Sequence, residues 1–165
     1  MQEAWKKNRK DPVQKERLML WRTEPEYVKV EKPTRLDKAR SLGYKAKQGI
    51  IVVRERVMRG GRMRPRFMGG RRSKAFRRKK VLAQNFQAIA EQRSSRRYTN
   101  MEVLNSYFVG KDKMNVWYEV ILVDPNHPRV KDDFGWMLLN PGRALRGKTS
   151  AQRRARGLVR RSRSN

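Results

Sequence analysis

Residues 59–80 read RGGRMRPRFMGGRRSKAFRRKK, twenty-two positions with eleven basic side chains and no acid. No other stretch limits the fold of the chain as strongly. Gly60-Gly61, Pro65 and Gly69-Gly70 interrupt any regular element, so the stretch reads as a mobile basic loop. Residues 143–165 have the same character, with nine basic residues in twenty-three and again no acid. Neither segment carries enough large apolar side chains to offset its own ordering entropy. Both are expected to be disordered alone and ordered on a partner. Over all 165 residues, 43 Lys+Arg stand against 15 Asp+Glu, a formal net charge of +28. A field of that size repels itself, and the working state is expected to include a polyanion.

The length suits one domain, and the 37% apolar content is low but sufficient for a core. There is no Cys, hence no disulfide framework, thiolate nucleophile or zinc-thiolate site. No apolar run approaches the ~18 residues of a membrane span, and no signal-peptide core follows Met1. A transporter, a secreted disulfide scaffold and a zinc finger are excluded on these grounds.

The foldable material lies between the two cationic runs. Residues 50–57 (IIVVRERV) begin β-branched and end alternating, as a strand does. Leu82, Phe86, Ile89 and Ala90 share one face of a helix expected over about 81–98. Residues 102–109 and 114–123 form a hairpin closed by Gly110-Lys111-Asp112-Lys113. In the second strand Val116, Tyr118, Val120 and Leu122 share one face, and Trp117, Glu119, Ile121 and Val123 the other. That strand is expected to be buried on both sides. Toward the N-terminus, Asp11-Pro12 with Gln14 reads as a capped helix start, carrying Val13, Leu20 and Trp21 inward. Thr34 with Asp37, followed by Gly43 after Leu42, reads as a second capped helix. The expected fold is α+β: a small antiparallel sheet of at least three strands with flanking helices, plus a basic non-globular loop and a C-terminal arm. The whole chain is taken as one domain, with 59–80 and 143–165 as its extensions.

Three motifs imitate catalytic signatures. Residues 142–149 (GRALRGKT) match the phosphate-cradling pattern G-x-x-x-x-G-K-[ST]. That pattern needs small residues to let the backbone wrap around phosphate, whereas Arg143 and Arg146 are bulky, and only sixteen residues follow Thr149. Asp133-Phe134-Gly135 resembles a kinase magnesium triplet but lacks the accompanying loops. His127, the single histidine, reads as a turn residue rather than a general base. Glu55, Glu91 and Glu119 stand singly among bases, which suggests internal ion pairs rather than a metal cluster.

The residues do assemble a polyanion-binding surface. Arg offers bidentate forks to phosphate, and the paired glycines let backbone approach a phosphate chain. Phe67, Met68, Phe76, Trp5 and Tyr44 sit among the cations, placed to stack on unpaired bases as in RNA recognition. Core packing is the plain alternative for Trp5; for Phe67, in a segment without a core, stacking is favoured.

Pro33-Thr34-Arg35-Leu36-Asp37-Lys38-Ala39-Arg40-Ser41-Leu42-Gly43-Tyr44-Lys45-Ala46-Lys47-Gln48-Gly49 resembles the signature of the archaeal and eukaryotic large-subunit ribosomal protein fifteen, eukaryotic type, to which the bacterial namesake is unrelated. The resemblance continues in order through Arg59-Gly60-Gly61-Arg62, Asn105-Ser106-Tyr107, Glu119-Val120-Ile121-Leu122-Val123-Asp124-Pro125, Thr149-Ser150-Ala151 and Arg156-Gly157-Leu158. The family usually has a few more N-terminal residues and a longer basic tail, and usually carries Leu where Lys148 creates the phosphate-loop look-alike. The resemblance implies an α+β fold with an antiparallel sheet and a non-catalytic role in binding and stabilising large-subunit rRNA. It further implies neighbouring large-subunit proteins as partners, a cytoplasmic ribosomal location, no membrane, no homo-oligomer, and no cofactor beyond Mg²⁺ held by bound RNA. Charge and resemblance together select Arg35, Lys38, Arg40, Tyr44, Lys45 and Lys47 as RNA-contacting residues. In the loop they select Arg59, Arg62, Arg64, Arg66, Phe67, Arg71, Arg72, Lys74, Arg77, Arg78, Lys79 and Lys80. In the tail they select Arg146, Lys148, Thr149, Arg153, Arg154 and Arg156. The competing readings are a DNA-compacting protein, disfavoured by the aromatics and the non-helical arms, and a nucleotide hydrolase resting on 142–149.

Overall fold

The structure, a computed structural model, describes residues 12–66, 68–71, 79–80 and 84–158. Trp5, Asp11, Phe67, Arg72, Lys74, Phe76, Arg77, Arg78 and Leu82, on which several expectations rested, lie outside the described residues.

Four strands form one antiparallel sheet: β1 (Tyr27–Val30), β2 (Ile50–Met58), β5 (Glu102–Lys111) and β6 (Asn115–Val123), in the order β1-β2-β6-β5. A separate two-residue ribbon pairs β3 (Arg62–Met63) with β4 (Lys79–Lys80). The last strand in sequence is thus interior, paired with β2 from Ile50↔Val123 to Met58↔Asn115 and with β5 across the hairpin. Its two apolar faces require cover on both sides, and the helices supply it. Val52, Trp117, Ile121 and Val123 pack with Trp21 from α1 (Pro12–Thr23), Ala39 from α2 (Leu36–Ser41), and Val130 and Phe134 from α4 (Pro128–Phe134). On the opposite face Val53, Val57, Val103, Val120 and Leu122 pack with Ala90, Phe86 and Ile89 of α3 (Phe86–Arg97). Phe86 and Ile89 thus meet the sheet on its Val120 face. Both are only half-buried, because the innermost side chains of α3 are the smaller Ala88, Ala90, Ser94 and Ser95, with Glu91.

Local chemistry sets the element ends. Asn85 caps α3 by accepting from the Ala88 N–H at 2.7 Å, and Arg96 and Arg97 sit in its last turn, where cations favour the helix dipole. The hairpin runs further than its sequence suggests: β5 continues to Lys111, and Asp112 turns the chain by accepting from the N–H groups of Met114 and Asn115. Two register irregularities, at Val103/Asn105 and Phe108/Gly110, bend β5. The second brings Gly110 beneath α1, where a Cβ would stand 3.1 Å from Leu18.

Several expectations change. In α1 only Trp21 of the three proposed residues is buried; Val13 and Leu20 are 48% and 61% exposed, and Leu18 packs inward instead. One helical stripe alone can face the sheet, and the stripe through Leu18 and Trp21 is the one that meets Gly110 and Trp117. Arg35, not Thr34, occupies the N-cap position of α2, with no side-chain cap. The Thr34 hydroxyl is engaged elsewhere, as a donor to Glu119. The chain between 143 and 158 is not an arm. Ala144, Thr149, Ala151 and Gln152 are buried, and α5 (Ser150–Ala155) packs against α3.

Candidate nucleic-acid interface

The cationic residues selected from the sequence fall in three places. The β3–β4 ribbon sets Arg62 opposite Lys80 and Met63 opposite Lys79. Arg59, Arg64, Arg66, Arg71, Lys79 and Lys80 are exposed along it, and Met63 and Met68 beside them are 64% and 97% exposed. Around Gly60, Gly61, Gly69 and Gly70 no other atom lies within 4 Å of where a Cβ would be. The backbone here is open to a close-lying chain of phosphates. Arg59 is tethered, donating from Nη1 to the Asp112 carbonyl at 2.6 Å.

The second group follows α2. Arg40 is exposed and Lys38 half-exposed. Arg35 turns inward and donates to the Phe108 carbonyl at 3.3 Å, and Tyr44 is half-buried against the cluster that holds Trp21 and Trp117. Lys45 and Lys47 both hold the Asp133 carboxylate, at 2.6 and 3.0 Å, which keeps that carboxyl below its ordinary pKa. The ion pairing accounts for Asp133 without magnesium chemistry, and Phe134 beside it is buried in the core.

The third group is the corner at 142–158. Gly142 (φ +65°) and Gly147 (φ +73°) bend it as the motif's glycines would. Its interior is filled by the protein's own groups. Glu102 accepts from the N–H of Gly142 at 2.7 Å and of Arg143 at 3.4 Å. Arg156 donates to the Gly147 carbonyl. Thr149 is fully buried, and its hydroxyl donates to Glu91. A carboxylate thus takes backbone donors that a phosphate would need, and the hydroxyl expected at an RNA phosphate is withdrawn from solvent. Arg146, Lys148, Arg153 and Arg154 remain exposed.

The three lone glutamates meet hydroxyls rather than the ion-pair partners expected. Glu91 accepts from Ser106 and Thr149, Glu119 from Thr34 and Tyr107, and Glu55 from Ser94 at 3.4 Å. Burial raises the carboxyl pKa of each, for Glu55 to about 7, and the hydroxyl bonds oppose that rise. Beside Glu119, burial and the carboxylate together push the Tyr107 phenol up. His127 caps α4 by accepting from the Arg129 N–H at 3.3 Å.

Sequence reasoning missed the arginine–aromatic arrangements. Arg54, 8% exposed, lies 4.5 Å from the centre of the Trp21 ring and pairs with Glu24 at 2.6 Å. Arg97 lies 4.7 Å from the centre of the Tyr27 ring. The only sequence signal for the second is the closely spaced trio Arg93, Arg96 and Arg97 on a helix end. Among the described residues, no group of three or more His, Cys, Asp or Glu is placed to hold a metal ion, and no helix is long and apolar enough to cross a membrane.

A sequence model of the family described as Ribosomal L15 matches residues 1–165. The chain is 52% identical to the "Large ribosomal subunit protein eL15" of Methanocorpusculum labreanum, over 96% of this chain and 84% of that protein. It is 49% identical to the protein of the same name from Picrophilus torridus, over 96% and 85%. It is 50% identical to that from Methanocella arvoryzae, over 95% and 84%.

Proposed function

Because the chain belongs to the ribosomal L15 family of eukaryotic type and is a structural constituent of the large ribosomal subunit, we propose that it acts there by binding and stabilising large-subunit rRNA through Arg and Lys contacts to phosphate. The observation that carries this reading is the exposed, acid-free cationic surface of the β3–β4 ribbon with its open glycine backbone. Arg forks suit phosphate oxygens, and unencumbered backbone lets the chain lie against a nucleic-acid strand. Lys38, Arg40, Arg146, Lys148, Arg153 and Arg154 extend the surface around the fold. Thr149 is withdrawn from this set by its burial and Arg35 acts mainly as a strut within the protein, while Arg156, bonded to the Gly147 carbonyl yet exposed, stays in the set.

The role is non-catalytic and needs no cofactor beyond the Mg²⁺ that folded RNA carries. Neighbouring large-subunit proteins are the other partners, the protomer acts singly, and the particle is cytoplasmic. The test is sedimentation of the tagged protein in cell extract, with a binding titration on protein-free large-subunit rRNA. The protein should travel with the large subunit at low salt and be stripped at high salt. Sedimentation as a free protein at low salt, or equal affinity for rRNA and double-stranded DNA, overturns the reading.

A further inference from the structure

The C-terminal half of α3 and the edge strand β1 enclose an open cleft of about 440 Å³, lined by Glu26, Tyr27, Glu55, Arg93, Arg96 and Arg97. We propose that this cleft takes one unpaired nucleotide of RNA, its base against the Tyr27–Arg97 pair and its phosphate on Arg93 and Arg96. The proposal rests on the RNA-binding reading above and adds to it a site and a mode.

The geometry comes from the sheet. Tyr27 is directly opposite Glu55 in the β1–β2 register, so both side chains stand on the face that α3 crosses. Glu55 is nearly fully buried, 2% exposed, and the Ser94 hydroxyl bonds it from the helix above. It closes the floor of the cleft. Tyr27 is 37% exposed at the rim, with the Arg97 guanidinium already over its ring. A tyrosine and a guanidinium held in this way present a flat, amphipathic wall of the kind on which a nucleobase stacks. Arg93 and Arg96 are exposed, and Arg93 is 3.7 Å from Glu26, a loose pairing at the rim with both side chains largely in water. Phosphate can replace Glu26 on Arg93 at small cost.

Glu26 at the rim selects among anions. A carboxylate-rich peptide would bring acids against it. A nucleotide brings its charge on one side only and can turn a base amino group toward Glu26, as an acid accepts from cytosine N4. A base inside a duplex has both faces covered by its stacked neighbours, so the interior of duplex RNA cannot use the cleft in this way.

The test uses the full chain with labelled hexacytidylate and with a blunt RNA duplex. Tyr27→Leu removes the ring, and Arg97→Lys removes the guanidinium plane while keeping the charge. Each variant should lose at least about fivefold in affinity for hexacytidylate, keep its salt slope, and bind the duplex as wild type does. Tyr27→Phe should bind like wild type. Should Tyr27→Leu fail to fold, Arg97→Lys decides alone. Unchanged hexacytidylate affinity in the variants, or an equal loss on duplex, overturns the cleft while leaving RNA binding intact. A wild type that binds neither RNA removes the broader reading with it. Polyglutamate binding with the same dependence on Tyr27 would assign the cleft to an acidic peptide and overturn the proposal.

Discussion

Thr149 donates its hydroxyl to Glu91, a fully buried carboxyl on α3, 58 residues earlier in the chain. The same carboxyl accepts from Ser106 on β5, so one buried acid ties helix, sheet and the C-terminal corner together. A threonine committed in this way has no hydroxyl to offer magnesium, and with Glu102 on the Gly142 and Arg143 amides two of the donors a triphosphate would need are already taken. G-x-x-x-x-G-K-T here is a folded strut.

Thr149→Val keeps the shape of the side chain and removes the donor, leaving Glu91 short of a partner. The expected cost is about 1.5–3 kcal/mol of stability, the range for a hydrogen bond to a charged or partly charged group. Lys148→Ala, at an exposed position, should change stability by no more than about 0.5 kcal/mol. Urea melts of the three proteins check both values. Equilibrium dialysis should find no ATP or GTP binding in any of them; nucleotide affinity in wild type that disappears in Lys148→Ala would mean the corner opens.

The two-faced alternation of residues 116–123 was readable because β6 has helices on both sides, and the alternation is the direct imprint of that burial. The hairpin was readable because its partners are close in sequence. The corner at 142–158 was not, because Ala144, Thr149, Ala151 and Gln152 are small or polar residues scattered among arginines, and charge density hid the packing. Nor were the glutamate partners: Thr34 is 85 residues from Glu119, and no local pattern encodes a contact of that separation. In α1, Val13 and Leu20 are as apolar as Leu18; only the position of the Gly110 irregularity decides which stripe turns inward. The exposed ribbon cations were legible from composition alone, since an acid-free run with paired glycines has no core to join. The Tyr27–Arg97 cleft was illegible because strand register and helix crossing, not sequence proximity, bring its walls together.

The His127 ring stands where a side chain on Gly49 would project. A Cβ there would lie 2.8 Å from the imidazole Cγ and 3.0 Å from Val130, and the backbone has φ +87°. Gly49→Ala combines left-handed strain of order 1–3 kcal/mol with overpacking of similar size, a total of about 2–5 kcal/mol. His127→Gly removes both the ring contact at 2.8 Å and the Cβ contact at 2.9 Å while forfeiting the cap on Arg129. In a double-mutant cycle Gly49→Ala should therefore cost less by at least about 1 kcal/mol in the His127→Gly background. Strict additivity of the two melts would show that the ring yields freely.

Glu55 gives stability a pH dependence of defined sign. Burial is the main cause that raises its carboxyl from 4.5 to about 7, opposed by Arg93 and Ser94 and reinforced by Glu26. Between those two pH values the native state holds a proton that the unfolded chain has lost. The contribution is complete below about 4.5, declines as pH rises through about 7, and is then flat. The slope from one group cannot exceed about 1.4 kcal/mol per pH unit. Glu55→Gln should remove this component, so the stability difference between wild type and variant, measured in urea from pH 4.5 to 8, should shift against wild type up to about pH 7 and then level off. Parallel curves would mean Glu55 is ionised in the fold throughout.

The cationic ribbon decides whether the charge of this chain acts through counterion release. If it does, affinity for rRNA falls log-linearly with monovalent salt, each phosphate contact contributing about −0.7 to −0.9 to the slope, values that belong to single strands and B-DNA and transfer in sign and rough size. Replacing Arg62, Arg64, Arg66, Arg71 and Arg72 by Ala should flatten the slope by up to several units. Of these, Arg64, Arg66 and Arg71 are exposed, Arg72 lies outside the described residues, and β3 and β4 pair only with each other. The four-stranded sheet and α3 draw their apolar contacts from elsewhere. The melting temperature should accordingly hold, or rise slightly as self-repulsion falls. Paired titrations of rRNA binding against salt, with thermal melts of both proteins, separate the outcomes. A flattened slope with an intact melt assigns the ribbon to phosphate. An unchanged slope moves the phosphate contacts to the surfaces carrying Arg40 and Arg146. A collapsed melt would mean that the ribbon supports the core across its two-residue pairing, which the register of Arg62 with Lys80 and Met63 with Lys79 gives no reason to expect.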